Sequence, residues 1–164
     1  MSRYENLFLA TDADPHALAR TLVERLGYEY MKGEPQLRAE GVGLRGRSLT
    51  QDGFTGLFVT ANYIDDPGDE QAGIEAVDAY PIQIDLRIPG YDYAAQAVEA
   101  RAVLGRLAAG MPATPMLLTH ELQWLKAAYL PGQPIHEFAP KTPIDDGADD
   151  WLPWVVRTDS MPQP

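Results

Sequence analysis

Three histidines, His16, His120 and His136, are the side chains best suited to move protons or to ligate a metal near neutral pH. Two of them begin a His–Glu pair. His120-Glu121 opens like HExxH, where histidines four apart on one helix face hold zinc and the glutamate activates water. Position 124 is Trp, so the second ligand is missing. His136-Glu137 has no second histidine after it either. A metal trio would need all three histidines to converge by folding, and the plainer expectation is three separate surface or interface histidines. No metal or other cofactor is expected.

Gly41-Val42-Gly43-Leu44-Arg45-Gly46 matches the string GxGxxG. Dinucleotide binding needs an apolar strand before it and a helix N-terminus after it, so that backbone N–H groups meet the pyrophosphate. Gln36–Glu40 is not apolar, and residues 47–53 make a poor helix. The expectation is a glycine-rich turn region with one short strand near Val42–Leu44. Serine occurs at positions 2, 48 and 160 only, never in a nucleophile elbow. The chain has no cysteine, which removes thiolate nucleophiles, disulfides and Cys-ligated zinc, and fits a reducing, cytoplasmic setting.

Carboxylates are abundant: 24 acids stand against 13 bases, for a net charge of −11. Nucleic acid is therefore not the expected partner, because binding it needs Lys and Arg to displace phosphate counterions. Two runs concentrate the acids, one over residues 65–70 and one over residues 145–150. Neither has the ligand order of an EF-hand loop. Asp12-Ala13-Asp14 is a further acidic pair, but Asp14 stands where a helix cap is needed.

One feature exceeds this background. From Ser48 to Leu86 there is no Lys or Arg, while Arg38, Arg45 and Arg47 lie just upstream. A surface that only confers solubility intersperses the two signs. A one-signed stretch beside Phe54, Phe58, Tyr63 and Tyr80 suits a basic protein partner. The candidate binding residues are Asp65, Asp66, Asp69, Glu70, Glu75, Asp78 and Tyr63; no catalytic residue is assigned.

The elements that must position these groups follow from periodicity. Glu5–Ala10 reads as a strand. Asp14-Pro15 reads as a cap with proline at the first helical position, and Leu18, Leu22 and Leu26 form an apolar stripe closed by Gly27. Short strands are expected at Tyr28–Met31 and within Phe54–Ile64. Ile82, Ile84 and Leu86 alternate with Gln83, Asp85 and Arg87, the pattern of a strand with one buried face. A second helix, residues 92–109, is capped by Asp92 and closed by Gly110, with Ala97, Val98, Arg101, Leu104, Leu107 and Ala108 inward. Met116–Thr119 reads as a strand. Residues 121–130 fit a strand or a helix equally well.

Seven of the 14 prolines follow residue 130, so residues 131–164 are expected to be an irregular tail, packed through Trp151 or Trp154 on a domain of residues 1–130. No stretch approaches the roughly 18 apolar residues of a membrane span.

The expected fold class is α+β, two helices on one face of a mostly antiparallel sheet, a ferredoxin-like or related sandwich. The expected function is a non-catalytic, cytoplasmic, acidic binding protein, in its sharpest form an immunity or antitoxin protein that occludes a basic toxin enzyme. The alternatives are a small enzyme using His120, Glu121, Asp85 and Arg87, and an accessory subunit docking through its tail.

Overall fold

Asp14 and Pro15 start the first helix as their chemistry requires: Asp14 Oδ1 accepts the Ala17 N–H at 2.8 Å, and Pro15 occupies the first turn, where no N–H partner is needed. The computed structural model describes residues 4–31, 41–62, 75–90 and 92–157. In chain order the elements are β1 (Glu5–Leu9), α1 (Pro15–Leu26), β2 (Glu29–Tyr30), β3 (Gly41–Arg47), β4 (Phe54–Ala61), β5 (Ile82–Arg87), α2 (Tyr93–Gly110), β6 (Met116–His120), β7 (Trp124–Tyr129), β8 (His136–Pro143) and α3 (Ala148–Trp151), which runs into a 3-10 turn at Leu152–Trp154.

The strands form one antiparallel sheet in the order β2-β3-β4-β5-β1-β6-β7-β8. The class is α+β. Four strands separate α1 from α2, where a ferredoxin-like order has two, so the sheet is wider than that fold provides.

Alternation along the strands divides the core in two. Leu7, Leu9, Val42, Leu44, Leu57, Val59, Ile82, Ile84, Leu86, Met116 and Leu118 share a cluster with Leu18 and Leu22 of α1 and Val103, Leu104 and Leu107 of α2. The opposite face holds Phe8, Leu117, Leu125 and Ala128, covered by Val77, Tyr80, Ile144, Trp151, Leu152 and Val155. β5 follows its expected period: Ile82, Ile84 and Leu86 are buried, Gln83 and Asp85 intermediate, and Arg87 exposed.

Two expectations change. The inner stripe of α2 is rotated: Gln96, Glu99, Ala100 and Val103 are buried, whereas Val98 is 58% exposed. Apolar spacing favoured Val98, but the loop between β3 and β4 and Thr55 of β4 supply partners that draw Glu99 inward. Gly110 closes α2 as expected and lies against Leu26 of α1. Within the tail, His136–Pro143 is not irregular but forms β8. Among the described residues β8 is an edge strand pairing only with β7, and an edge tolerates Pro140 and Pro143, whose missing N–H groups leave no inner neighbour unpaired. The ambiguous stretch resolves as a turn, Glu121–Gln123, leading into β7.

The glycine-rich string is a strand, β3, not a turn region. A Cβ at Gly46 would stand 2.6 Å from the Tyr28 ring, and one at Gly41 2.5 Å from the Val59 carbonyl oxygen. The glycines let neighbouring chain and rings approach closely, and no helix N-terminus follows to receive a pyrophosphate.

Candidate functional site

Asp65, Asp66, Asp69, Glu70 and Tyr63 lie outside the described residues. Glu75 and Asp78 form the turn that ends the acidic stretch: the Glu75 N–H donates to Asp78 Oδ2 at 2.9 Å, and the Asp78 N–H to the Glu75 carbonyl at 3.1 Å. The start of the stretch is fixed at the same place. Asn62 Nδ2 donates to the carbonyls of Val77 and Tyr80, at 3.1 and 2.8 Å. Asn62 and the turn at residues 75–80 are therefore bonded to each other.

The second acidic run begins beside this turn. The Ala76 N–H donates to the Ile144 carbonyl at 2.8 Å, one residue before Asp145. Asp145, Asp146, Asp149 and Asp150 are all exposed, around α3, whose Trp151 is buried beneath them. The buried cluster of Ala76, Val77, Ile144 and Trp151 thus lies between the turn of Glu75 and Asp78 and the exposed run 145–150. Of the aromatics expected beside the acids, Tyr80 is core: it is fully buried, its hydroxyl accepts the Val156 N–H, and burial pushes its ionisation well above the ordinary value. Phe54 is 44% exposed, on a different part of the sheet face.

The dispersed His/carboxylate set does not assemble. His120 and Glu121 stand beside Glu5, whereas Asp85 and Arg87 belong to the opposite face of the sheet, with Asp85 bonded to Asn6 and Gln83 and Arg87 to Tyr4. The histidines also stay apart. His16 is exposed on α1, His120 Nδ1 lies 2.5 Å from Glu5 Oε1, and His136 stacks on Trp154 at 3.7 Å between ring centres. No group of three metal-ligating side chains forms among the described residues.

Glu5 was not evident as a site residue. It is 1% exposed, and burial raises its carboxyl above the ordinary range, opposed by the His120 hydrogen bond and by the charges of His120 and Lys126. Its Oε2 has no hydrogen-bond partner among the described residues. Glu5, Lys126, Arg101, Glu137 and Phe138 line a cleft of about 350 Å³ between α2 and the β6–β8 side of the sheet. Period-2 spacing from Leu7 and Leu9 was the available signal, because it puts Glu5 on the helix-covered face.

A larger cleft, about 490 Å³, lies on the face opposite α1 and α2, over β3, β4 and β5. Tyr4, Met31, Arg45, Phe54, Asp85 and Arg87 are among its lining residues. Arg45, Gly56 and Arg87 stand in one cross-strand row, so the two arginines flank a position without a side chain. Each guanidinium lies over a ring: Arg45 4.9 Å from the centre of Phe54, Arg87 4.7 Å from that of Tyr4.

No known protein family, curated protein or solved structure matches the chain.

Proposed function

We propose that this protein is a non-catalytic acidic binding protein of the immunity or antitoxin type, acting in the cytoplasm by covering the basic active-site cleft of a toxin enzyme. The observation that supports this most is the bond between Ala76 and Ile144, which joins the turn of Glu75 and Asp78 to the head of the exposed acidic run 145–150. A field of one sign steers a partner of the opposite sign, and clefts that bind nucleic acids are basic. An enzyme neutraliser needs surface and charge rather than a reactive centre.

The test is capture of the partner from native extract, followed by association kinetics. Neutralising Asp145, Asp146, Asp149 and Asp150 together should slow association about tenfold at low salt and flatten its salt dependence, as should neutralising Asp65, Asp66, Asp69 and Glu70. Equal rates and salt slopes would reduce both runs to solubilising surface. A partner with an acidic contact face would reject the reading.

The second reading, a small enzyme, rests on the Glu5–His120 pair beside its cleft, since a buried acid hydrogen-bonded to an imidazole can hold or relay a proton. Turnover abolished by both Glu5→Gln and His120→Gln would favour it.

A further inference from the structure

The larger cleft holds two opposite charges that do not pair with each other. The Arg87 guanidinium is held by Tyr4, Nη2 donating to the phenol oxygen at 2.8 Å while the group lies over the ring. Asp85 is held by Asn6 Nδ2 and Gln83 Nε2, which donate to its Oδ1 at 2.7 and 2.8 Å. Neither Arg87 nor Asp85 makes an ion pair among the described residues. Arg45, across the row, is 3.6 Å from Glu29 and so already has a carboxylate beside it.

Between these charges the floor is low and apolar. The row Arg45–Gly56–Arg87 spans two strand spacings, roughly 10 Å, with no side chain at its centre. Met31 fills the space over the glycines, its Cε 3.1 Å from where a Gly56 Cβ would stand and its Sδ 3.1 Å from a Gly43 Cβ. Ile88 and Pro89 complete the wall. A thioether can shift to fit an occupant. Guanidinium groups on aromatic faces are weakly hydrated and presented in fixed forks, suited to carboxylate.

We infer that this cleft binds a small zwitterion of the α-amino-acid class with an apolar side chain: its carboxylate on Arg87, its ammonium on Asp85, its side chain on Met31. The separated, pre-oriented charges match a ligand carrying both signs, and about 490 Å³ lies within the range of small-molecule sites, roughly 300–1,000 Å³. This site is distinct from the acidic surface of the proposed function, and either can fail without the other.

The experiment is titration of the full chain with L-phenylalanine, L-leucine, 3-phenylpropionate and phenethylamine, followed by calorimetry and amide chemical shifts. At least one of the two amino acids should bind saturably and shift the Gly43 and Gly56 amides. The analogues lacking the amine or the carboxylate should bind about tenfold or more weakly, each having lost a charge-assisted contact. Arg87→Gln should weaken the amino acid and 3-phenylpropionate, and Asp85→Asn the amino acid and phenethylamine, while both variants still unfold cooperatively. Absence of saturable binding by both amino acids up to about 10 mM, a very weak affinity, would overturn the assignment. So would shifts confined to other surfaces, or equal affinity for all four compounds.

Discussion

The carboxylate of Glu99 takes the Leu49 N–H through both oxygens, at 2.9 and 3.0 Å, and so ties the middle of α2 to the loop between β3 and β4. The Thr50 N–H, the Thr50 hydroxyl and the Thr55 hydroxyl also donate to it, at 2.9, 2.7 and 2.9 Å. Glu99 is fully buried. Burial alone would raise its pKa, but these donors together outweigh it and hold the carboxyl below the ordinary value.

Glu99→Gln should therefore destabilise the fold by about 1.5–3 kcal/mol at neutral pH, since Gln accepts through one oxygen and brings an amide among donors. The depressed pKa gives stability that is present above the unfolded value of 4.5 and lost as pH falls through the folded one. Urea unfolding from pH 7 down to 3 should show a steeper acid loss for the native chain than for the variant.

Glu5 has the opposite sign. Its folded pKa is raised, so its contribution to stability is fully present below the unfolded value of 4.5 and is lost as pH rises through the folded value. Glu5→Gln should flatten the stability profile immediately above pH 4.5. Parallel profiles of variant and native protein in that window would contradict the assignment of burial as the dominant effect.

The turn after β6 has Glu121 and Leu122 in the left-handed region, at φ 54° and 57°, closed by the Gln123 N–H on the His120 carbonyl at 3.0 Å. Leu122 is 46% exposed, so its side chain contributes little packing. Leu122→Gly should stabilise by about 0.5–1 kcal/mol, relief of left-handed strain exceeding the entropy that glycine adds to the unfolded chain. Thermal unfolding would read the gain as a melting temperature higher by a few degrees.

Trp151 is 1% exposed, and its Nε1 donates to the Asp146 carbonyl at 3.2 Å. Trp151→Ala should cost about 3–5 kcal/mol, as truncation of large buried aromatics does. It should also loosen residues 145–150, a change that hydrogen exchange at Asp150 would register, because that N–H is bonded to the Gly147 carbonyl at 2.8 Å.

Local chemistry was enough to specify several parts of this protein. Asp14-Pro15 and Asp92 cap their helices through their own side chains, Gly27 closes α1 at φ 76°, and the period-2 run of β5 buries its isoleucines. Each effect acts over four or five residues and needs no distant partner. Tertiary structure decided what depends on remote contacts. Glu99 enters the core because donors from residues 49–55 await it, while Val98 faces outward. The prolines of β8 are tolerated because that strand is an edge, which follows from the order of the whole sheet. Glu5 and His120 meet because β1 and β6 pair in that register, and Asp85 and Arg87 are separated from them because alternate residues of a strand point to opposite faces. Composition made the protein acidic, but only the folded chain brings the turn of Glu75 and Asp78 beside the acidic run 145–150, since charges far apart in sequence become neighbours solely through the packing between them.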